Sequence, residues 1–182
     1  MSDRELSTVV TRAQRGEVDA IGALYDQHQE AIFRYLWARL GERQAAEDLT
    51  GDVFMRMIGA LPNYRPSAPF RAWLYRIARN RLIDHYRRRA QSPLPLTHAE
   101  VRTAEADPIT LAEHTLTIER LHRALAQLEE AQREVVALRF LSGLSLQETA
   151  AALDKTEAAI KALQHRGLAA LRGLLMEEPV QS

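Results

Sequence analysis

The chain has no cysteine, which excludes disulfides and thiolate zinc sites and suits a reducing compartment. Its apolar runs are short. None approaches the roughly 18 to 20 residues that span a bilayer, and the opening MSDRELSTVV lacks the basic stretch and apolar segment of a secretory signal. A soluble, cytoplasmic protein without membrane insertion is expected. The six histidines lie too far apart to suggest a metal cluster. No phosphate-binding glycine loop is present, nor any constellation of acid, base and nucleophile, so neither an enzyme nor a cofactor is expected. Net charge is missing too, because 24 basic side chains meet 24 acidic ones over 182 residues.

The charge that is present is unevenly placed. Residues 1–69 hold eight basic and ten acidic side chains, 91–134 four and eight, and 135–182 five and five. Residues 70–90, FRAWLYRIARNRLIDHYRRRA, hold seven arginines and the single acid Asp84. A neutral chain with one cationic stripe binds polyanions locally and has little attraction for them as a whole. Weak binding by the free protein is the expectation.

The patterning is helical throughout, without a strand signal or a solenoid repeat. Ile21, Leu24, Tyr25, Ile32, Phe33, Leu36 and Leu40 recur near one helix face, and Leu49, Val53, Phe54, Met57 and Ile58 form another. Gly41 suits a stop between the two helices. LPNYRPSAP, residues 61–69, has three prolines and reads as an ordered loop before a third helix. AQSPLPLTHAEVRTAEADP then breaks all periodicity and reads as a linker. Helical pattern returns from Ile109 to about Met176, broken at 141–145 and 153–156. The expected fold is all-α, with 46% hydrophobic residues to build two small cores.

Within the second lobe, Ser145 and Glu148 form an S-x-x-E capping box, and Ala150 to Ala152 keep the inner face small enough for a close helix crossing. Asp154 to Thr156 form a tight turn, with Thr156 placed to cap the next helix and Glu157 at its positive end. That is helix-turn-helix spacing, and it offers Lys161, Gln164, His165 and Arg166 to a major groove. An ordinary αα-hairpin has the same pattern. The clean stop at Gly143 and the basic polar face of the second helix tilt against it.

In the arginine stretch, at about 100° per residue, Phe70, Trp73, Leu74 and Ile77 share a face, while Arg76, Asn80 and Arg87 fall within about 40° of one another on another side. The first face is expected to pack, burying Trp73, and the second to read DNA through phosphate contacts and the Asn80 amide. Leu82, Ile83 and Tyr86 leave the first face, so a bend or a change of packing partner near Asn80 is expected. Most of the arginines lack an acid at i±4, which is unfavourable unless an anion arrives. Asp84 reads as the orienting partner of Arg81, Arg87 or Arg88.

AEDLTGDVFMRM, PFRAWLYRIARNRLIDHYRRR and, after the linker, REVVALRFLSGLSLQETAAAL…IKALQHRGLAALR resemble, in this order, the bacterial sigma factors of the extracytoplasmic-function (ECF) subgroup of the sigma-70 family. The resemblance implies a σ2-like helical bundle over 1–90, a flexible linker over 91–108, a σ4-like helix-turn-helix domain over 109–176 and a tail over 177–182. It implies core RNA polymerase and promoter DNA as partners, and an anti-sigma factor as a further one. It places Glu47, Asp48, Leu49, Asp52, Phe54 and Arg56 at the polymerase clamp, with Val53 left to the core. Asn63, Tyr64, Trp73, Arg76, Arg79, Asn80, Arg87 and Arg88 fall at the minus-ten element, where a base is flipped into a pocket of the 61–69 loop. Thr156, Lys161, Gln164, His165 and Arg166 fall at the minus-thirty-five element. The linker would thread the polymerase cleft.

The chain departs from the family pattern V-K-S-R-L-H-R-A-R, with Leu163 and Leu168 where arginines are usual. Each lost phosphate contact would weaken binding and lower its salt dependence by about one unit of slope. Asp154 stands for a common turn glycine, and Gly51 for a common glutamine inside the clamp-binding helix. A stand-alone helix-turn-helix regulator or a helical adaptor would leave the first lobe's motifs or arginines unused.

Overall fold

The computed structural model describes residues 3–91 and 119–177. The linker residues 92–108, the segment 109–118 and the last five residues lie outside the described part. Gln91 still belongs to a helix, and so does Glu177. Among the described residues there is no strand.

The first lobe has four helices: α1 (Asp3–Gln14), α2 (Val18–Leu40), α3 (Arg43–Ala60) and α4 (Phe70–Gln91). Gly41, with φ of 71°, ends α2 and donates its N–H to the Trp37 carbonyl, as a helix-terminating glycine should. The core joins Leu24, Ile32, Tyr35 and Leu36 of α2 to Val53 and Met57 of α3 and to Leu74, Tyr75 and Ala78 of α4. Removing each large side chain from water contributes roughly 1.5 to 3 kcal/mol. Helix α1 was not apparent from the periodicity of the second and third helices. It packs on α2, and its Gln14 amide donates to the carbonyls of Leu61 (3.1 Å) and Tyr64 (2.9 Å), fixing the start of the proline-rich loop.

Two expectations about faces need correction. Helix α4 runs unbroken through Asn80, because its deepest stripe is Leu74, Ala78 and Leu82 at i, i+4 spacing, with Phe70 and Tyr75 beside it. Trp73 lies on the flank of that stripe, half-buried, with its ring against Tyr64 and Phe70. Ile58, assigned to the packed face of α3, is exposed, as is Tyr25 on α2.

The second lobe has a helix over 119–127 (α5), α6 (Glu130–Val136) continuing as one π turn (Ala137–Leu141), α7 (Leu146–Leu153) and α8 (Glu157–Glu177). Both bonds of the Ser145/Glu148 capping box are made. Asp154 takes the left-handed conformation (φ 54°) at the turn, and the Thr156 hydroxyl accepts the Ala159 N–H at 3.2 Å. Gly167 lets α8 cross α6 closely, since a Cβ there would sit 3.0 Å from Val136 Cγ2. A Cβ on Gly51 would meet nothing, so that departure from the family costs only helix propensity, about 0.5 to 1 kcal/mol.

The two lobes are packed together. Helix α4 lies on α7, and α2 lies on the π turn. Ala137, Leu138, Leu144 and Ala152 of the second lobe are buried in the first lobe's core cluster.

Candidate nucleic-acid and polymerase interfaces

Of the six residues placed at the polymerase clamp, helix α3 exposes four. Asp48 and Asp52 are exposed and one turn apart, Glu47 and Arg56 are exposed beside them, and Met55 falls within about 60° of both aspartates. Glu47 accepts from Arg43 (2.8 Å) and Asp48 from Gln44 (3.1 Å), each an i, i+4 pair that stiffens the exposed face slightly. Leu49 and Phe54 belong to the core with Val53, so they support this face from beneath and do not stand on it. Met55 was missed because a methionine amid apolar residues reads as core by composition. Only its phase relative to Leu49 and Val53 marks it as outward.

The loop after α3 is built around Tyr64. Its ring is buried against Phe70 and Trp73, and its hydroxyl donates to the Ala68 carbonyl at 2.9 Å. Asn63 is exposed at the turn that precedes it. A cavity of about 860 Å³ opens beside this loop, lined on the first lobe by Gln14, His28, Tyr64 and Phe70 and on the second by Ser145 and Glu148. His28 is buried there, and burial, with help from the Arg71 charge, pushes its pKa down to about 4. Its Nε2 has no hydrogen-bond partner. The imidazole is therefore neutral and packs on Phe70.

On α4, Arg76, Asn80, Arg87 and Arg88 are exposed and Arg79 is half-buried. Asp84 pairs with Arg81 at 2.5 Å and lies 3.9 Å from Arg87, and its backbone carbonyl accepts from Arg88 at 3.4 Å. The hydrogen bond from Arg81 holds the Asp84 carboxyl below its ordinary pKa. Most of these arginines lack an acid at i±4, and several find partners that local spacing cannot show. Arg89 pairs with Glu42, the residue just before α3 (3.5 Å), and Arg71 with Glu148 of α7 (3.2 Å). Arg76 donates to the Ala151 carbonyl of α7 at 2.6 Å.

Helix α8 keeps Lys161, His165 and Arg166 on its exposed side, and Thr156 caps it. Gln164 is half-buried and accepts from Arg139 Nε at 2.9 Å, which turns it toward α6 and its π turn. Leu163 packs with Val135, Ala150 and Ile160, so an arginine at this position would point inward and the leucine forfeits no phosphate contact. Leu168 is exposed, and there the family's arginine is lost from a surface.

Comparison with known proteins follows this division. The sigma-70 region 2 family matches residues 24–92, and the sigma-70 region 4 family matches residues 124–173. The ECF RNA polymerase sigma factor BldN of Streptomyces coelicolor is 39% identical over 174 residues, covering 93% of this chain, which spans 66% of that protein's length. The ECF RNA polymerase sigma factor SigD of Mycobacterium tuberculosis is 35% identical over 179 residues, with 94% of this chain and 84% of SigD covered. Among solved structures, CnrH in complex with the cytosolic domain of CnrY aligns with a TM-score of 0.75 at 27% identity, over 94% of this chain and 97% of that one. RpoE of Bartonella quintana, solved with the anti-sigma factor NepR, aligns at 0.72 and 22% identity over 88% and 99%. No helix among the described residues is long and apolar enough to cross a membrane.

Proposed function

The chain belongs to the ECF subgroup of the sigma-70 factors, and from that premise we propose how its surfaces divide the work of promoter recognition. The domain over 1–90 binds core RNA polymerase and the minus-ten element, and the domain over 109–176 binds the minus-thirty-five element. The observation that supports this division is the pair of exposed polar stripes on two helices that share one core. Asp48, Asp52 and Arg56 stand on α3, and Arg76, Asn80 and Arg87 on α4.

On α3, Asp48 and Asp52 meet a basic partner surface, Arg56 and Glu47 flank them, and Met55 adds an apolar anchor that is lost from water on docking. On α4, the arginines neutralise phosphates and Asn80 reads a base edge. The Tyr64 ring, held by Phe70 and Trp73, stiffens the loop whose exposed tip carries Asn63. A rigid loop loses little entropy when it captures an unstacked base, and this offsets part of the few kcal/mol that unstacking costs. The process is binding and strand capture without a chemical step. On α8, Lys161, His165 and Arg166 contact the minus-thirty-five duplex, Thr156 orients the helix start, and Gln164 positions Arg139. The protein acts in the cytoplasm with the polymerase, and an anti-sigma protein covering both domains is its expected inhibitor.

The test separates the two faces. Arg76→Ala with Asn80→Ala is expected to abolish opening of a promoter by the holoenzyme while leaving association with core polymerase intact. Asp52→Ala is expected to weaken association itself. Identical defects from both would overturn the division, and so would tight, specific duplex binding by the chain without polymerase.

A further inference from the structure

We propose that acylation of lysine amines acts on this chain as a selective switch of minus-thirty-five reading. Of the 24 basic side chains only two are lysines, Lys155 and Lys161, and both stand on the helix-turn-helix. Every other one is an arginine. A guanidinium keeps its proton and is inert to acyl donors, whereas an ammonium can shed a proton and attack one. The polymerase face of α3, with Arg43 and Arg56, and the arginine stretch of α4 therefore offer nothing to this chemistry. Side-chain amine reactivity is confined to the second lobe.

Both amines are open to a donor. Lys155 and Lys161 are exposed, and neither side chain makes a hydrogen bond or ion pair among the described residues. Lys155 sits on an ordered turn, where its backbone N–H donates to the Ala150 carbonyl at 3.0 Å beside the left-handed Asp154. Lys161 lies in the second turn of α8, one turn before His165 on the same side. In the step, the neutral Nζ attacks the carbonyl carbon of an acyl phosphate or an acyl thioester. The amide C–N bond forms, the C–O or C–S bond to the carrier breaks, phosphate or thiolate leaves with the bonding pair, and the Nζ proton passes to water.

The charge change is large for so small a surface. Residues 145–168 hold three fixed cations, Lys155, Lys161 and Arg166, and three carboxylates, of which Glu148 is already paired with Arg71. That leaves Asp154 and Glu157 facing the three cations. Acylating both lysines leaves one cation against two carboxylates, so the sign of the surface reverses and a phosphate backbone is repelled. An arginine at position 168, where the family pattern has one, would offset part of the loss. The exposed Leu168 does not.

The switch rests on the minus-thirty-five role proposed for the second domain, and the experiment separates the failure of one from the failure of the other. The full-length chain is incubated with acetyl phosphate in one arm and acetyl coenzyme A in the other, and acetyl groups are located by peptide mass spectrometry. Acetylation of Lys155 and Lys161, besides the N-terminal amine, is expected in at least one arm, which identifies the donor. Holoenzyme assembled with the acetylated chain is expected to bind a promoter duplex, selected with the unmodified holoenzyme, about tenfold more weakly, with a salt slope lower by about two units. Binding to the same duplex with its minus-thirty-five element scrambled, and association with core polymerase, are expected to stay as before.

Two double variants complete the test. Lys155→Gln with Lys161→Gln is expected to show the weakened binding without treatment, and Lys155→Arg with Lys161→Arg to show no response to either donor. Unmodified lysines in both arms, beside weak binding by the glutamine variant, would overturn the switch and leave the reading role standing. So would acetylated lysines with unchanged binding. Full binding by the glutamine variant would overturn the reading role of the two amines, and the switch with it. An equal loss in the treated arginine variant would place the effect on other groups and overturn the assignment to Lys155 and Lys161.

Discussion

The two lobes are built on different principles. The first has one continuous core in which Tyr35, Tyr75, Leu24, Leu36 and Leu74 are wholly buried, and the aromatic pair Tyr35 and Tyr75 meets edge to face at 5.6 Å. The second has two small clusters, around Val135 with Ile160 and around Leu125 with Leu128, and gives four further buried residues to its neighbour's core. Its short helices α6 and α7 depend on a capping box, a π turn and a close crossing at Gly167. The first lobe is a platform with a core of its own. The second, with small clusters of its own, completes its burial against that platform through Ala137, Leu138, Leu144 and Ala152.

The largest test of this contrast is a cavity in the platform. Leu74→Ala, at a position with no exposure, is expected to destabilise the first lobe by about 2 to 5 kcal/mol, read from the urea midpoint of far-ultraviolet dichroism. A cost below about 1 kcal/mol would mean that the core is looser than its packing implies.

The next concerns pH. The folded protein keeps His28 neutral down to about pH 4, whereas the unfolded chain takes up that proton near the ordinary histidine value of 6.5. Between those values the unfolded state holds more protons, so stability falls as the pH drops through this window, by on the order of 3 kcal/mol. His85 and His122, also shifted down by burial, add in the same direction. Urea melts at pH 7 and pH 4.5 should show the loss, and His28→Gln should remove most of the difference. An equal loss in that variant would assign the effect elsewhere.

The smallest test separates the two leucines of the reading helix. Leu163→Arg buries a cation in a small cluster and is expected to unfold the second lobe locally, at a cost of about 3 kcal/mol. Leu168→Arg, on the surface, is expected to leave the fold intact and to steepen the salt dependence of minus-thirty-five binding by the holoenzyme by about one unit of slope. Equivalent behaviour of the two variants would break the assignment of inward and outward faces on α8.

Much of this organisation is legible in the sequence. The Gly41 stop, the Ser145 and Glu148 box, the turn at Asp154 and the role of Asp84 follow from neighbours within about four residues, where backbone and side-chain rules operate directly. Faces were read less well. Of the face expected to pack, Phe70 and Leu74 are buried, whereas Trp73 and Ile77 pack on its flank and the deepest stripe runs through Leu74, Ala78 and Leu82. Leu163 looked like a missing phosphate contact because a family pattern records residue types without saying which side of the helix each one occupies. Helix α1 lies before the periodic pattern that starts near residue 17, although its Gln14 anchors the loop at Leu61 and Tyr64.

By itself the sequence determined the helices from α2 onward, the Gly41 stop, the Ser145 and Thr156 caps, the family and the local excess of positive charge on α4, since each is encoded by residues close together along the chain. Only the tertiary structure decided what those arginines rest on. Arg39 and Glu134 are 95 positions apart, and Arg76 and Ala151 are 75 apart. No local rule pairs groups at such distances. They meet because the apolar surfaces of two lobes pack, and that packing brings the carbonyl ends of one lobe's helices to the cations of the other.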